Sequence, residues 1–217
     1  MADMNDRYII WDWNGTLLDD VDSAVSALNR MLAVRGLAPT TRDYYRAHFG
    51  FPVRPFYAEL GVDLAHEDWD RICVDFHRFV DSEPKVLRTD AHAALQLARE
   101  AGMRQAILSA LREDLLHRDV AAAGIADFFE AIYGVDNLDG ASKLSRGRDL
   151  VRDLPPSAVG ALFFIGDTLH EVEVARELGA KCILVDGGHQ TAERLAAADI
   201  PVAPTLIDAV QLVLSAP

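Results

Sequence analysis

The sequence is poor in the features that mark secreted and membrane-spanning proteins. It contains 2 cysteines, Cys73 and Cys182, which are too few and too far apart for a disulfide framework. No apolar run approaches the ~18 residues of a membrane-spanning helix, and the amino-terminal stretch lacks the basic and apolar regions of a secretion signal. Both thiols are therefore expected to be small buried hydrophobes, and a reducing, cytoplasmic compartment is expected.

Positive charge is also scarce. The chain carries 34 Asp and Glu residues against 21 Lys and Arg residues, a net charge of −13. A nucleic-acid-binding surface needs a basic stripe, which this balance disfavours. A small anionic ligand remains compatible with it if a local cation or a cluster of N–H groups receives the charge. No heptad repeat marks a coiled-coil seam, so the sequence predicts no oligomeric state.

Short apolar runs bounded by turn residues alternate with helical patterns along most of the chain. Such runs are typical of buried parallel strands, and helices between them imply right-handed crossovers. One helix is expected to begin at a capping Thr89 or Asp90 and to end at Gly102. The pattern predicts an α/β fold with a Rossmann-like, doubly wound parallel sheet. The predicted strands are Tyr8–Trp11, Gln105–Leu108, Ala131–Tyr133, Ala161–Ile165 and Cys182–Val185.

One region breaks this alternation. Between Asp20 and Val86 the sequence shows no convincing strand but several helical patterns, at 22–36, 40–50 and 66–83. We therefore predict a core domain of residues 1–18 and 87–217 and an inserted, all-helical cap domain of residues 19–86. Ligands of open α/β sheets bind beyond the carboxyl ends of the strands. The cap is thus expected to cover that site like a lid and to gate it.

Three acids, Asp12, Asp167 and Glu171, lie at or just beyond predicted strand ends. If the first and fourth strands are neighbours in the sheet, Asp12 and Asp167 converge at one edge, where two carboxylates repel unless a cation lies between them. Hard oxygen ligands of this kind select Mg²⁺, which uses one or two carboxylates, water and substrate phosphate. Each acid alone is equally typical of a helix N-cap or a solvated turn.

Two further polar residues fit the same edge. Ser109 ends the strand-like run "QAILS", and Lys143 lies in the loop-to-helix stretch "LDGASKLSRG". A hydroxyl and an ammonium there could hold the non-bridging oxygens of a phosphoryl group. Taken singly, a Ser after a strand is commonly a helix cap, and a Lys near a helix start is commonly solvated.

The segments "DWNGTLLDD" and "GDTLHEVEVARELGA", with the Ser of "ILSA" and Lys143 between them, resemble the four motifs of the haloacid dehalogenase-like hydrolases. The resemblance follows the order of the motifs over nearly the whole chain. A helical cap between the first two motifs, with the segment "FGFPV", is similar to the phosphoglycolate phosphatase-like branch. The resemblance implies a Mg²⁺-dependent phosphatase for a small phosphorylated metabolite, with neither nucleic acid nor membrane as partner.

The resemblance also implies roles for individual residues. Asp12 would be the nucleophile, whose carboxylate attacks phosphorus to form an aspartyl-phosphate that water then hydrolyses. Asp12, Asp167 and the backbone carbonyl of Asn14 would bind Mg²⁺. Glu171 stands where the family more often has Asp, and its longer side chain favours a water-mediated or hydrogen-bonding role. The implied phosphate contacts are Thr16, Ser109, Ala110 and Lys143, and the implied supporting residues are Thr168, His170 and Glu171.

At Asn14 the sequence departs from the family pattern, which places a second Asp two residues after the nucleophile. That Asp would protonate the leaving alkoxide and then deprotonate the attacking water, a contribution of about 10²–10⁴-fold. The Asn14 amide cannot cycle a proton. Because phosphoryl transfer depends mostly on positioning and electrostatics, we expect a slow or specialised phosphatase.

Four accounts of Asn14 are open at this point. The substrates could have good leaving groups, such as acyl phosphates or pyrophosphates, or another residue, such as His170 or His48 of the cap, could supply the proton. The bond cleaved could differ, since the family includes phosphonate and haloacid hydrolases. The protein could also have lost turnover and bind a phosphorylated ligand or partner, unless the Asn is engineered. In the cap, Arg54 is a candidate partner for a substrate carboxylate.

Overall fold

A computed structural model of the protein describes residues 7–136 and 143–216. Six parallel strands form one sheet in the order β3-β2-β1-β4-β5-β6. The strands are β1 (Tyr8–Trp11), β2 (Arg104–Arg112), β3 (Ala131–Val135), β4 (Leu162–Gly166), β5 (Lys181–Val185) and β6 (Val202–Ala203). The chain thus starts in the centre, steps outward through β2 and β3, and crosses to the other side for β4 to β6. The predicted doubly wound α/β fold is confirmed.

All five predicted strands are present, with shifted ends. β2 continues past Leu108 to Arg112, and its pairing with β3 becomes irregular between these two residues. β6 was not predicted, because two residues carry no periodicity. Along β1 the side chains alternate between two hydrophobic clusters, one on each face of the sheet. Both faces are therefore buried, which is why the strands are almost continuously apolar.

Helices cover both faces of the sheet. One face carries α5 (Ala91–Glu100), α6 (Glu113–Ala122) and α10 (Leu206–Ser215), and the other carries α7 (Leu144–Asp153), α8 (Leu169–Leu178) and the short α9 (Ala192–Ala196). The expected side-chain cap of α5 is not formed at Asp90. Its carboxylate accepts from the backbone N–H of Leu206 at 2.7 Å instead, which ties α5 to the start of α10. No described helix is long and apolar enough to cross a membrane.

Between β1 and β2 the chain forms α1 (Val21–Ala33), α2 (Arg42–His48), α3 (Arg54–Glu59) and α4 (Trp69–Asp81). These helices share a hydrophobic cluster of their own. α3 was not predicted, since six residues are too few for a helical pattern. The two segments that connect these helices to the sheet run side by side, and the N–H of Asp19 donates to the carbonyl of Val86 at 2.8 Å. The cap boundaries proposed from the sequence, 18/19 and 86/87, fall within this pair of segments.

Candidate active site

Asp12 and Asp167 lie together at the carboxyl edge of the sheet. β1 and β4 are hydrogen-bonded neighbours, and the N–H of Asp12 donates to the carbonyl of Ile165 at 2.9 Å. The Thr16 hydroxyl lies 3.3 Å from Asp12 Oδ2 and 3.0 Å from Asp167 Oδ1. The two carboxylates thus contact a single hydroxyl group, and both are buried. The convergence predicted from the strand pattern is present.

The ammonium group of Lys143 lies between two carboxylates. It contacts Asp12 Oδ1 and lies 2.9 Å from Glu171 Oε1. The side chain is only 2% exposed, yet the two acids outweigh the cost of burial and hold the pKa of Lys143 above its ordinary value. Lys143 is therefore a buried, charged cation beside the predicted nucleophile. The loop before it, residues 137–142, lies outside the described residues.

The acids themselves resist ionisation. Burial raises the pKa of Asp12 to about 7, against the opposing effect of Lys143. Burial likewise raises the pKa of Asp167 to about 6, with His189 opposing. Repulsion from Glu171 adds to both increases. A bound cation would favour the ionised forms, so this pair has the charge and the donor atoms that a divalent ion requires.

The described side chains contain no group of three or more His, Cys, Asp or Glu residues placed to hold a metal. Mg²⁺ does not require one, because it keeps several waters and binds through one or two carboxylates plus substrate phosphate. The donor set of Asp12 and Asp167 therefore fits Mg²⁺. It does not fit an ion such as zinc, which takes three or four protein ligands.

Two glycines allow the backbone to approach Asp167. A Cβ atom at Gly15, whose φ is +73°, would lie 2.3 Å from Asp167 Oδ2, and one at Gly188 would lie 2.2 Å from the same oxygen. The adjacent N–H of His189 donates to this oxygen at 2.6 Å. The turn after β1 and the turn after β5 thus both close on one carboxylate, which fixes its position.

Asn14 is held by a hydrogen-bonded chain that the sequence analysis did not foresee. Its amide donates to Asp20 Oδ2 at 2.7 Å, and the N–H of Gly15 donates to Asp20 Oδ1 at 2.7 Å. His189 Nε2 lies 3.2 Å from Asp20 Oδ1, and the Tyr45 hydroxyl lies 2.9 Å from His189 Nδ1. The chain runs from the turn after β1, through β5, to α2.

The pair of Asp20 and His189 is ionic. Burial opposes the charge on each, but their mutual attraction lowers the pKa of Asp20 and raises the pKa of His189 to about 9. His189 lies four residues beyond Val185, the last residue of β5. The rule that polar residues gather at strand ends would have found it. Asp20 lies within the quoted first motif, but nothing in the sequence indicates its distant partner.

The predicted supporting residues hold Lys143 in place or lie aside. Glu171 Oε2 accepts from the N–H of Thr168 at 2.8 Å and from its hydroxyl at 2.6 Å, which forms the capping box of α8. The other oxygen of Glu171 faces Lys143, so Glu171 orients the ammonium group. Lys143 and the Thr168 hydrogen bond hold the pKa of Glu171 low, although burial acts against them.

Neither histidine proposed as a substitute acid lines the cavity above Asp12. The His170 ring is stacked on Phe51 at 4.9 Å, with Nδ1 3.2 Å from Glu173. His48 pairs with Glu59 on the surface of the helical insertion. The first turn of α8 directs His170 at the helical insertion instead of at Asp12, so these two candidates are wrong on position.

The cavity has a volume of about 150 Å³. Its lining includes the predicted residues Asn14, Ser109, Ala110 and Thr168. We call its charged side the charged floor, formed by Asp12, Asp20, Lys143, Asp167, Glu171 and His189. We call the opposite side the aromatic wall, formed by Phe49, Phe51, Phe56, Tyr57, Trp69 and Phe76. Arg54 is not in the lining; its side chain lies over the outer Trp69 ring at 4.8 Å and is exposed.

Comparisons with known proteins agree with this geometry. The family model described as "Haloacid dehalogenase-like hydrolase" matches residues 9–185. A phosphoglycolate phosphatase from Rhodobacter capsulatus is 27% identical over 192 residues, which are 84% of this chain and 85% of that protein. A phosphoglycolate phosphatase from Caulobacter vibrioides is 25% identical over 199 residues, which are 87% of this chain and 83% of that protein.

Solved structures with the same fold have lower sequence identity. A haloacid dehalogenase-like family hydrolase from Streptococcus pneumoniae superimposes with a TM-score of 0.78 at 16% identity, over 96% of this chain and 99% of that chain. The protein CbbY from Rhodobacter sphaeroides, solved in complex with phosphate, has a TM-score of 0.65 at 20% identity, over 93% and 95% of the two chains. These structures support the arrangement of sheet and helices.

Proposed function

The chain belongs to the haloacid dehalogenase-like hydrolase family, and on that premise we propose that it is a Mg²⁺-dependent phosphatase for a small phosphorylated metabolite, with Asp12 as nucleophile. One observation carries the proposal: Asp12, Asp167 and Lys143 converge in a buried cavity large enough for a small ligand. The relatives named phosphoglycolate phosphatases support the reaction class.

The proposed reaction has two displacements at phosphorus. The Asp12 carboxylate forms a bond to phosphorus while the bond to the leaving oxygen breaks, which gives an aspartyl-phosphate and the released alcohol or acid. Water then attacks phosphorus, the bond to Asp12 breaks, and inorganic phosphate and the carboxylate are released. Lys143, already paired with Asp12, would balance charge on the phosphoryl oxygens in both steps.

Asp12, Asp167 and the backbone carbonyl of Asn14 would hold the magnesium ion. When bound, Mg²⁺ supplies electrostatic stabilisation of the phosphoryl oxygens and favours ionisation of the nucleophile. Thr16 would keep the two carboxylates in register through its contacts with both. Ser109 and the backbone at Ala110, both in the cavity lining, would contact the phosphoryl group.

The amide at position 14 restricts the range of substrates. Asn14 cannot donate a proton as an acid, and its amide is engaged by Asp20 at 2.7 Å. Leaving groups that depart as stable anions, such as acyl phosphates and aryl phosphates, would react without that proton. Simple alkyl esters would react slowly, by the 10²–10⁴-fold or so that general acid catalysis contributes.

The test is phosphate release from acetyl phosphate and phenyl phosphate in the presence of Mg²⁺. Asp12→Ala should lower the rate by at least about 10³-fold, since no other carboxylate can take over as nucleophile. Chelation of the metal with EDTA should have a comparable effect. Asp22→Ala, in the exposed first turn of α1, is the matched control and should keep the native rate. Activity that survives Asp12→Ala or EDTA contradicts the mechanism.

A second candidate function is binding of a phosphorylated ligand without turnover, and the engaged amide of Asn14 favours it. The variant Asn14→Asp separates the two. It would place a carboxylate within hydrogen-bonding distance of Asp20, so that one of the two would retain a proton at neutral pH and could act as an acid. A silent native protein and an active Asn14→Asp variant support binding. A native protein active on acyl phosphates, with a gain on alkyl esters in the variant, supports the phosphatase.

A further inference from the structure

We propose that the substrate of this site carries an uncharged, apolar leaving group of about the size of one ring, and not a carboxylate such as that of phosphoglycolate. The proposal rests on the proposed function for the phosphoryl end of the substrate. The other end is assigned from the side chains that line the cavity opposite Asp12.

The aromatic wall gives the cavity an apolar surface. Six aromatic side chains from the helical insertion line it, and Val80 of α4 adds an aliphatic surface. Phe49, Phe51, Trp69 and Phe76 are only partly buried, so they retain surface that a ligand could cover. An apolar cavity of about 150 Å³ is enough for a benzene-sized ligand. A single ring or short hydrocarbon group therefore matches this side of the cavity in size and in polarity.

Within the described part of the chain, no lysine or arginine of the insertion lines the cavity. The Arg46 side chain donates to the carbonyls of Gly188 and Gln190 at 2.8 and 2.9 Å. Arg54 lies over Trp69 and is exposed. His77 of α4 contributes an imidazole to the lining. A carboxylate bound here would therefore lack the guanidinium fork that such groups commonly meet in proteins.

The charged floor would also repel a second negative charge. It contains four acids against the two cations Lys143 and His189, and each cation already contacts an acid, namely Asp12 for Lys143 and Asp20 for His189. A substrate carboxylate would add to this negative excess, and burial against aromatic rings would remove its hydration. An uncharged ring has neither cost. The electrostatics of the floor and the chemistry of the wall thus favour the same leaving group.

Asn14 supports this assignment independently. Aryl phosphates release a phenolate, which is a stable anion and needs little help from an acid. Since the amide of Asn14 cannot supply that proton and is engaged by Asp20, the site is suited to a leaving group of this kind. An aryl phosphate combines the apolar ring that the wall favours with the weakly basic oxygen that position 14 demands.

Equilibrium binding tests the assignment without requiring turnover. We would titrate the native protein with benzylphosphonate, ethylphosphonate and phosphonoacetate in the presence of Mg²⁺, by calorimetry. Burial of the ring should make benzylphosphonate bind about 10- to 100-fold more tightly than phosphonoacetate, with ethylphosphonate in between. Tighter binding of phosphonoacetate than of benzylphosphonate overturns the inference, and so does equal binding of all three.

Rates with benzyl phosphate, ethyl phosphate and phosphoglycolate separate this inference from the proposed function, because all three release an alkoxide. The expected binding order without phosphate release would remove the phosphatase proposal and leave the cavity assignment standing. Phosphate release with a preference for phosphoglycolate would do the opposite.

Two variants locate the selectivity. Val80→Lys would add a cation to the wall and should shift the preference toward phosphonoacetate by about tenfold or more. Val74→Lys, on the same helix with its side chain exposed, is the matched control and should leave the preference unchanged. His77→Gln tests the imidazole in the lining. A loss of phosphonoacetate binding in that variant, with benzylphosphonate binding unchanged, would show that His77 recognises a carboxylate and would overturn the assignment. An unaltered preference in Val80→Lys would show that the wall does not select the ligand.

Discussion

The charged floor and the aromatic wall bound the same cavity but are built on opposite principles. Each floor residue has a specific polar partner, as with Lys143 between Asp12 and Glu171 or His189 beside Asp20. The wall residues contact one another through ring edges and faces, with centroids such as those of Phe49 and Phe56 5.8 Å apart. Hydrogen bonds and ion pairs are directional and costly to break when buried, whereas apolar contacts tolerate rearrangement.

This difference teaches where chemistry and selectivity reside in the molecule. The floor comes from the strand ends and turns of the sheet, where backbone positions are fixed by neighbouring strands. The wall comes from an insertion with its own hydrophobic cluster, so its side chains can change without disturbing the strands. We therefore expect substitutions in the floor to lower both activity and stability, and substitutions in the wall to alter selectivity.

Lys143→Met should break the floor with the largest effect on stability. Its removal leaves Asp12 and Glu171 facing each other in a buried site, and loss of one partner of a buried ion pair costs about 3–5 kcal/mol. Burial raises the pKa of Asp12 to about 7, so Asp12 is largely protonated at pH 5 and ionised at pH 8. The loss should therefore be larger at pH 8. Urea unfolding at both pH values measures it.

Arg148→Met is the control for this change. Arg148 pairs with Glu177 at 3.3 Å, and both side chains are exposed, so the cost should stay below about 1 kcal/mol at either pH. Equal losses in the two variants would mean that the pair around Lys143 behaves as an exposed one.

The fold could be predicted from the sequence because its strands are buried on both faces. Continuous apolar runs such as Tyr8–Trp11 follow directly from that burial. α3 and β6 were beyond reach, because six and two residues carry too little pattern. α7 has a mean hydropathy too low for its buried face to stand out, although Lys143 was recognised near a helix start.

The site was predictable where one rule applied to each residue by itself. Asp12, Ser109 and Asp167 follow strands, and parallel strands bring their carboxyl ends together. Asp20, His189 and Tyr45 were missed because their roles depend on contacts across more than a hundred positions of the chain. The wall was missed for a similar reason. A helical pattern shows that a face is buried, but it does not show what that face covers.

Gly188→Ala should strain the floor where its backbone is closest to Asp167. The added methyl group would lie 2.2 Å from Asp167 Oδ2, so the turn must move, at a cost of about 1–3 kcal/mol. Displacement of this carboxylate should also weaken Mg²⁺ binding, measured by calorimetry. Gly50→Ala beside the wall is the control, since its nearest neighbour, an Arg194 nitrogen, is 3.5 Å away. A fully native Gly188→Ala variant would show that the floor is more deformable than its contacts indicate.

Tyr45→Phe should have the smallest effect, because it cuts one hydrogen bond between the two regions and keeps the ring in place. Tyr45 is buried on α2 beside Phe49 and Phe56, while its hydroxyl reaches His189 Nδ1 at 2.9 Å. Attraction to Asp20 raises the pKa of His189 to about 9 despite its burial, so the protonated ring donates to the hydroxyl at neutral pH. Without that oxygen, an N–H of His189 loses its partner.

The expected loss in Tyr45→Phe is about 1 kcal/mol in urea unfolding, with a small fall in the pKa of His189 by NMR titration, because the charged ring loses an acceptor. Tyr44→Phe is the control one residue away. Its hydroxyl donates to Glu59 at 2.6 Å on the surface, where water replaces the lost bond, so stability should hardly change. If both variants lose stability equally and the pKa of His189 does not move, the wall is not coupled to the floor through this bond. If only Tyr45→Phe responds, movement of α2 is linked to the residue that fixes Asp20 and, through it, Asn14.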